Sequence, residues 1–393
     1  MYENTDKQDR RIMIVAGESS GDLHGSNLLR AAAENYPQLT FFGVGGERMK
    51  AAGCRIVFPS DELSVMGLVE VLFQLPRLIA RFRQLKKLLQ GAARPDLLVL
   101  IDFPDFNLRL ARIAKQVGVP VLYYISPKVW AWRSGRAKTI AARVDRLALI
   151  FPFEPEIYQP YGVSASYVGN PLLDEFAVNQ PTGLLRGRLG IAATDPVVGI
   201  FPGSRNSELK YIFATLLATA QQIQQQKPEV KFLLPVAPSL SRQYFIDRLQ
   251  GSQLSIELVE ENIYEVAAAC DAVLTVSGTV TLQVTLVGTP LAILYKVAPL
   301  SYQIGRRLIK VAYAGLTNII AGKEIAREFI QAAATPEALS AEVLRLLDDR
   351  DYAAAMRQRL AAVAQLMGEP GCSMRVAEMV AEMSAINPTD GTN

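Results

Sequence analysis

The chain alternates short aliphatic and β-branched runs with longer stretches of helical periodicity. The runs are apolar at almost every position, whereas a half-exposed strand is apolar at every second one. Such runs are typical of strands that are buried on both faces of a parallel sheet, with helices between them. They read RIMIVAG, TFFGVGG, DLLVLIDF, VPVLYYIS and RLALIF and, after a break, VVGIFPGS, VKFLLPVA, LSIELVE, AVLTVSG and PLAILYKV. The pattern therefore predicts an α/β fold.

A break rich in proline and glycine separates the two sets of strands. It contains Pro171, Pro181 and Pro196. A chain of 393 residues, half of them hydrophobic, is long enough for two cores, and a single core of that size would be unusually large. We expect two doubly wound, Rossmann-like parallel-sheet domains that meet near residue 180, with a cleft between them.

Composition and charge exclude several classes of protein. Lys and Arg total 41 against 38 for Asp and Glu, and the net charge of +3 is too small to indicate a nucleic-acid-binding protein. The three cysteines are far apart and lack metal-ligand spacing, which favours buried, reduced thiols. The apolar run near the N-terminus is shorter than a signal-peptide core, and no apolar stretch is long enough to span a bilayer. We expect a soluble protein or one that lies on a membrane surface.

Ligands of open parallel sheets bind where strands end and helices begin, and the first of these junctions reads AGESSGDLHG. Gly17, Gly21 and Gly25 recur every four residues, which differs from the GxGxxG dinucleotide pattern. The glycines let a ligand approach the backbone, or they only form a tight turn. His24, the single histidine of the chain, is either a base or a packing or capping residue at the start of a helix.

A second junction, LIDFPDFNLRL, places a carboxylate at the end of a very apolar strand. Partial burial raises the pKa of such a carboxyl group and makes Asp102 a better proton acceptor, so Asp102 is a candidate general base. Asp105 or Asn107 is expected to cap the helix that follows.

Two junctions in the second half resemble phosphate-binding turns. In GIFPGSRNSELK a glycine turn connects a strand to a helix, and Ser204, Arg205 and Ser207 cluster at the helix start. Backbone N–H groups and the positive end of the helix attract phosphate, and Arg205 can bind it through two parallel hydrogen bonds. The alternative is a capped turn, and the missing Walker pattern argues against ATP hydrolysis. In TVSGTVTLQV, a second turn that can hold a phosphate or a ribose involves Ser277, Gly278, Thr279 and Gln283.

Together these features suggest a sugar-nucleotide transferase that works across a cleft. More specifically, the sequence resembles the lipid-A-disaccharide synthase family from about residue 12 to residue 332, because its motifs follow the order of that family. They read AGESSGDLHG, LSVMGLVEVL, IDFPDFNLRLA, YYISPKVWAWRSGR, FPFEPEIY, VGNPLLDE, FPGSRNSE, VSGTVTLQ and LTNIIAGKE. The combination of SPKVWAWR with IDFPDFN is hard to obtain by chance.

The resemblance implies a GT-B fold and an inverting glycosyltransferase. Members of the family join UDP-2,3-diacylglucosamine to 2,3-diacylglucosamine 1-phosphate (lipid X), which forms a β(1→6) bond and releases UDP during lipid A assembly. On this reading residues 1–180 form an acceptor-binding, membrane-facing domain and residues 181–345 a UDP-sugar-binding domain. Residues 346–393 form C-terminal helices, the last of which is expected to cross back to the first domain.

Candidate site residues follow from the matching motifs. Asp102 matches the family's essential acid and Arg205 its essential arginine. The predicted UDP-sugar site comprises Gly203, Ser204, Arg205, Ser277, Gly278, Thr279, Gln283 and Asn318, and the predicted acceptor site comprises Gly17, Ser20, Gly21, Asn107, Trp130 and Arg133. The sequence departs from the family at two positions, with Gln283 in place of the usual Glu and Arg327 in place of the usual Pro. Gln283 can still hydrogen-bond to ribose hydroxyls, but it lacks the charge that strengthens such bonds.

Both tryptophans of the chain lie in SPKVWAWRSGR, next to two arginines. We expect Trp130 and Trp132 to begin the helix after a strand of the first domain and to line an acyl- or sugar-binding wall. Arg133 and Arg136 would then meet the phosphate of the acceptor. Core packing of one or both tryptophans is the alternative.

Lipid substrates must be met at a membrane, and LFQLPRLIARFRQLKKLL has the pattern of a helix that lies on one. Apolar residues recur at helical spacing with basic residues between them, and no acidic residue occurs from Val71 to Pro95. A core-packed helix with a solvated basic face is the alternative. The residues predicted to face the membrane are Leu75, Leu78, Arg81, Phe82 and Arg83.

The reaction implied by the resemblance requires no cofactor and no metal. The DxD sequence from Asp349 to Asp351 lies in a charge-rich helical stretch and is interpreted as a solvated face. The expected partners are the two lipid substrates and the cytoplasmic face of the inner membrane, with no nucleic acid. Members of the family can form homodimers, and the sequence leaves the oligomeric state open. Two rival functions are a UDP-sugar epimerase of GT-B shape, which the single histidine disfavours, and a non-catalytic lipid- or nucleotide-binding protein.

Overall fold

The structure is a computed structural model that describes residues 9–63, 68–92, 94–132, 134–252, 254–309 and 311–384, without the side chains of 68–74, 206, 207, 300 and 304. The chain divides into two compact units. Unit 1 extends to Pro171 and resumes at Glu369, and unit 2 is Leu172–Gly368.

Unit 1 is built on a parallel sheet. Its strands are β1 (Arg10–Ala16), β2 (Leu39–Gly45), β3 (Arg55–Pro59), β4 (Leu97–Ile101), β5 (Val121–Tyr124), β6 (Arg146–Leu149) and β7 (Ser164–Tyr167). They pair in the order β3-β2-β1-β4-β5-β6-β7. The order reverses between β1 and β4, and open parallel sheets bind ligands beside such a switch point, at the carboxyl ends of the strands.

Helices cover both faces of this sheet. Those before residue 171 are α1 (Ser19–Asn35), α2 (Glu47–Ala51), α3 (Leu68–Gln90), α4 (Pro104–Gln116), α5 (Arg136–Ala141) and α6 (Glu154–Tyr158). On β1, Ile12 and Ile14 pack in one core cluster with residues of α1, while Met13 and Val15 pack in another with residues of α3 and α4. Because each face of the strand is covered, every position of its central run is apolar.

Unit 2 contains a second parallel sheet. Its strands are β8 (Val197–Phe201), β9 (Lys231–Pro235), β10 (Ile256–Val259), β11 (Ala272–Val276), β12 (Leu291–Tyr295) and β13 (Glu328–Ile330), in the order β10-β9-β8-β11-β12-β13. Its helices, of which the first begins at the boundary with unit 1, are α7 (Pro171–Val178), α8 (Leu185–Arg188), α9 (Asn206–Gln226), α10 (Arg242–Leu249), α11 (Ile263–Ala268), α12 (Thr279–Val287), α13 (Pro299–Leu308), α14 (Leu316–Ala321), α15 (Pro336–Asp348) and α16 (Arg350–Leu366). Short 3₁₀ turns occupy Ser60–Glu62, Gln159–Tyr161 and Gln331–Ala333. The two sheets confirm the predicted pair of doubly wound, parallel-sheet folds.

The C-terminal helix α17 (Cys372–Met383) belongs to unit 1. Val376 and Val380, one turn apart, are fully buried in the same core cluster as Ile12 of the central strand. This helix therefore covers the same face of the sheet as α1 does, and it completes the core of unit 1.

Within the described residues, no helix combines the length and the apolarity that crossing a membrane requires. Cys54, Cys270 and Cys372 are buried free thiols, as predicted.

Candidate active site

Asp102 follows directly on β4, at the carboxyl edge of the unit 1 sheet. Asp102 and Phe103 both adopt left-handed backbone conformations, with φ of 44° and 49°, which are unfavourable for residues other than glycine. The Asp102 carbonyl accepts hydrogen bonds from the Tyr123 hydroxyl at 2.6 Å and from Asn107 Nδ2 at 2.7 Å. These two bonds from α4 and β5 hold the strained turn, and with it the carboxylate, in place.

The surroundings of Asp102 raise the pKa of its carboxyl group above the usual value. Burial raises the pKa of the Asp102 carboxyl and the carboxylate of Glu18 raises it further, while Lys128 and the Phe103 backbone N–H lower it, with a net rise. A carboxylate with a raised pKa is a better proton acceptor. Glu18 and Lys128 were missed by the sequence analysis. The available signal was their position after β1 and β5, because the carboxyl ends of parallel strands meet at one edge of a sheet.

A cavity of about 170 Å³ lies beside Asp102. Its lining residues are Asp102, Pro104, Pro127, Lys128, Val129, Trp132 and Arg136. The Arg136 guanidinium lies 5.8 Å from the centre of the Trp132 ring and forms an ion pair with Asp105. A carboxylate, two cations and an aromatic face around one cavity suit a sugar that carries an anionic group.

The two tryptophans lie in the loop between β5 and α5, so the prediction that they begin a helix is wrong. The helix begins only at Arg136. The loop before it forms a single turn, in which the backbone N–H groups of Ala131 and Trp132 both donate to the carbonyl of Lys128. Trp132 is 41% exposed and lines the cavity, while Trp130 is half-buried and donates its Nε1–H to Glu154 at 3.1 Å. Arg133, the remaining predicted residue of this segment, lies outside the described residues.

Neither Asp105 nor Asn107 caps α4, contrary to the prediction. The residue at the N-cap is Phe103, which makes no side-chain capping hydrogen bond. Asp105 is exposed and pairs with Arg136. Asn107 is buried and directs its amide at the Asp102 carbonyl, so it positions the turn before the helix instead of closing the helix end.

The glycines of the first junction face protein atoms. A Cβ on Gly17 would overlap the ring of Phe103, and one on Gly21 would lie 3.1 Å from the Cβ of Ala16. Gly17 thus lets the Phe103 ring cover its backbone, and Gly21 allows α1 to approach β1. Ser20 is exposed in the first turn of α1.

Two other sequence candidates have defined surroundings: His24 lies edge-on to the ring of Tyr124, with the centroids 6.4 Å apart, and Asp349 caps a helix. Burial lowers the pKa of His24 to about 4, which keeps the ring neutral at pH 7. Asp349 caps α16 by accepting a hydrogen bond from the backbone N–H of Tyr352 at 2.9 Å. Across the described ranges, no three His, Cys, Asp or Glu side chains are grouped as metal ligands would be.

In unit 2, the segment after β8 has the predicted strand, turn and helix arrangement. Gly203 has a φ of 81°, in the left-handed region that glycine adopts most easily. Ser204 and Arg205 are exposed immediately before α9, and the Arg205 guanidinium pairs with Glu208 at 3.0 Å. Backbone N–H groups at the start of a long helix, next to a guanidinium, can bind phosphate. The side chain of Ser207 lies outside the described part of the chain.

The segment after β11 forms a second turn at the same kind of strand end. Ser277 donates its hydroxyl hydrogen to the carbonyl of Ala314 at 2.7 Å. Gly278 precedes α12, and Thr279 is exposed as its first residue. Gln283, one turn further, is half-buried.

Asn318, on α14, is fully buried. Both the nitrogen and the oxygen of its side-chain amide form hydrogen bonds with other residues of the chain. Nδ2 donates to Glu328 at 2.8 Å, and Oδ1 accepts from the backbone N–H of Ile325 at 2.7 Å. Glu328 also accepts from the Ala314 backbone N–H at 2.7 Å. Asn318 therefore braces the loop whose other side is held by Ser277.

Helix α3 is divided between two environments. Leu75 and Ile79 are 45% and 42% exposed. Leu78 and Phe82 are partly buried and pack against the core of unit 1. The residues predicted to face a membrane therefore point in more than one direction.

Solved structures of low sequence identity share the fold. UDP-GlcNAc 2-epimerase from Neisseria meningitidis bound to UDP-GlcNAc is similar with a TM-score of 0.65 and 11% identity, over 95% of this chain and 100% of that one. MurG from Acinetobacter baumannii is similar with a TM-score of 0.60 and 12% identity, over 95% and 99%. At these identities the likeness establishes the GT-B class of fold and no activity.

Sequence comparison is more specific. Residues 12–382 match the model of the lipid-A-disaccharide synthetase family. The lipid-A-disaccharide synthase of Syntrophotalea carbinolica is 55% identical over 96% of both chains, and that of Geobacter sulfurreducens is 46% identical over 98% of this chain and 99% of its own. The chain belongs to the lipid-A-disaccharide synthase family.

Proposed function

We propose that this chain is an inverting glycosyltransferase that joins UDP-2,3-diacylglucosamine to lipid X and forms the β(1→6) lipid A disaccharide 1-phosphate. The observation that carries the proposal is the family match across residues 12–382. The geometry around Asp102 supports the same reaction, because a carboxyl group with a raised pKa lies beside a cavity with cationic and aromatic walls.

The transfer exchanges one bond for another. The 6-hydroxyl oxygen of the acceptor attacks C1 of the donor sugar from the face opposite the UDP, the bond from C1 to the UDP oxygen breaks, and UDP leaves with the electron pair. Attack from the opposite face inverts the configuration at C1. The hydroxyl proton goes to the base, for which Asp102 is the candidate.

The acceptor is assigned to the cavity of unit 1. The raised pKa of Asp102 supports its role as the base, and Lys128, Arg136 and Trp132 offer cations for the 1-phosphate and a ring face for the sugar. Asn107 contributes by holding the Asp102 turn. Gly17 and Gly21 contribute through packing at the same edge of the sheet.

The UDP portion of the donor is assigned to unit 2. Negative charge develops on the diphosphate as UDP leaves, and fixed N–H dipoles and a guanidinium stabilise such charge. Gly203, Ser204 and Arg205 before α9 supply these groups. The diphosphate would compete with Glu208 for the guanidinium. The turn before α12, with Ser277, Gly278, Thr279 and Gln283, is assigned to the nucleoside, and Asn318 to the support of the adjoining loop.

A membrane surface is the proposed site of action, on the cytoplasmic side, because both substrates carry acyl chains. The exposed residues Leu75, Ile79 and Arg83 of α3 suit contact with anionic lipid. Arg81 instead pairs with Glu62 at 2.6 Å and contributes less free charge.

The test is to mix the purified chain with UDP-2,3-diacylglucosamine and lipid X and to detect products by mass spectrometry. Disaccharide 1-phosphate and UDP are expected in equal amounts, and Asp102→Asn and Arg205→Ala should each lower kcat by at least about 100-fold. An epimerase would alter the UDP-sugar without the acceptor, and a binding protein would form no product. Either result contradicts the proposal.

A further inference from the structure

Glu154, the first residue of α6, is a buried carboxylate that the proposed transfer does not use. Only 1% of its surface is exposed. It accepts hydrogen bonds from the Trp130 indole at 3.1 Å and from the backbone N–H groups of Ile150 at 3.2 Å and Phe151 at 3.0 Å. A carboxylate surrounded by such donors is a strong anchor, because a donor left unpaired in the interior is unfavourable.

Tyr158 lies one turn after Glu154 and faces the same loop. Its hydroxyl is 2.6 Å from the hydroxyl of Ser126, and both side chains are buried. Residues four apart lie on one side of a helix. Helix α6 therefore holds both ends of the segment 126–130. Tyr158 contacts Ser126 at the start of the segment, and Glu154 accepts a hydrogen bond from Trp130 at its end.

The segment 126–130 needs anchors because its start is strained. Ile125, directly before it, has a φ of 61°, which is a rare state for a β-branched residue. Such a conformation persists only where the surrounding structure fixes it. The same segment supplies Pro127, Lys128 and Val129 to the cavity beside Asp102.

The indole of Trp130 is confined by two aromatic rings. Its centroid lies 5.7 Å from that of Phe151 and 5.3 Å from that of Phe153, and both contacts are edge-on. Edge-on contacts favour a defined ring orientation. The bond to Glu154 selects the orientation in which the indole N–H points into the protein.

We propose that Glu154 is a positioning residue for the acceptor: by fixing Trp130, it sets the wall that Pro127, Lys128 and Val129 form beside Asp102. The inference rests on the proposed function, since the acceptor is assigned to this cavity. Loss of the anchor would loosen the wall and raise the KM for the acceptor. The donor, assigned to unit 2, would keep its KM.

The structural half of the proposal is tested by NMR on protein labelled with ¹⁵N at tryptophan. The two tryptophans give two indole N–H signals, and Trp130→Phe assigns them. Burial raises the pKa of Glu154 to about 7, so the spectra are recorded above that pH, where the carboxyl group is ionised. Glu154→Gln should then shift the Trp130 signal, because the charged acceptor is gone, while Glu156→Gln, an exposed neighbour on α6, should shift neither. An unchanged Trp130 signal in Glu154→Gln would overturn the proposal, whatever reaction the chain catalyses.

The functional half is tested by steady-state kinetics with each substrate varied. Glu154→Gln and Trp130→Phe should each raise the acceptor KM about tenfold and leave the donor KM within about twofold. The double variant should resemble the single ones, because both break the same bond. Equal rises in both KM values, or additive effects, would overturn the proposal.

If Glu154→Gln or Trp130→Phe does not fold, a third variant still tests the proposal. Tyr158→Phe removes the other anchor with a smaller change, and it should also raise the acceptor KM without changing the donor KM. An unaltered acceptor KM in this variant contradicts the anchoring role of α6. Absence of any disaccharide from the unaltered protein would instead refute the proposed function, and the NMR result would stand on its own.

Discussion

At the scale of residues, the fold fixes both the position and the pKa of one carboxyl group, that of Asp102. Its backbone adopts a left-handed conformation, and its carbonyl accepts hydrogen bonds from Tyr123 and Asn107. Burial and the carboxylate of Glu18 raise the pKa of its carboxyl group. Neither strain nor burial is favourable for an aspartate alone. The adjoining strands maintain both, and the result is a fixed carboxylate beside a cavity.

Lys128 should set the pH dependence of the reaction. Its charge lowers the pKa of Asp102, so Lys128→Gln should raise that pKa further. Because the base must be deprotonated, activity is lost as the pH falls through the pKa of Asp102. In Lys128→Gln the acid limb of the pH profile of kcat/KM should therefore move to higher pH. Lys128→Arg keeps the charge and should leave the limb in place. A limb that stays put in Lys128→Gln, or that shifts equally in both variants, would argue against Asp102 as the titrating base.

Gly17 should tolerate no side chain. A Cβ there overlaps the ring of Phe103, so Gly17→Ala should displace the left-handed turn and lower the free energy of unfolding by about 1–3 kcal/mol. Gly135→Ala is a matched control, because a Cβ at that position meets nothing within 4 Å and its φ is −60°. It should change stability by less than about 0.5 kcal/mol. Urea unfolding followed by tryptophan fluorescence checks both, and equal stability of the two variants would contradict the packing described.

Individual site residues differ in how far the sequence predicts them. An acidic residue after an entirely apolar strand stands out locally, which is why the sequence alone indicates Asp102 as a candidate. The role of Asn318 cannot be predicted from the sequence alone, because an amide in a polar motif can either bind a ligand or brace a loop. Only the contacts with Ile325 and Glu328, which depend on the folded path of the chain, reveal that it braces.

At the scale of elements, the apolar runs predicted the central strands of both sheets and one edge strand, β10. The strands β3, β7 and β13 were not among those runs, and each lies at the edge of its sheet. Edge strands are partly solvated and short. In β7, Ser164 is exposed and Tyr167 only half-buried. A pattern that depends on burial of both faces is weaker in such strands, although it still indicated the edge strand β10, in which Leu258 and Val259 are buried.

Helix α3 should bind lipid through one narrow face. Leu75 and Ile79 are exposed, so the double variant Leu75→Ser and Ile79→Ser should weaken binding to anionic vesicles at least about tenfold, with little loss of stability. Leu78→Ser is the contrasting variant, because Leu78 packs on the core. It should lower the free energy of unfolding by about 1–3 kcal/mol. Vesicle sedimentation and urea unfolding separate the two effects, and unchanged vesicle binding in the double variant would remove α3 as the contact.

At the scale of the whole molecule, unit 1 is discontinuous in sequence, because unit 2 is inserted between its two segments. Unit 1 contains the first part of the chain and also α17, so the core of unit 1 is complete only when α17 packs on it. The polar, helical composition after residue 335 predicts helices there. Composition alone cannot say which sheet they cover, because that depends on which apolar face remains open.

Removing packing from α17 should therefore destabilise unit 1 and spare unit 2. Val380 is fully buried in the cluster around β1 and α1, and Val380→Ala should lower the stability of unit 1 by about 1–3 kcal/mol. Hydrogen exchange followed by mass spectrometry should then be faster in peptides from β1 and α1 and unchanged in peptides from β8 and β11. Leu366→Ala, at a position of α16 that is 51% exposed, should alter neither set. Faster exchange in β8 and β11 alone would mean that α17 supports the second sheet instead.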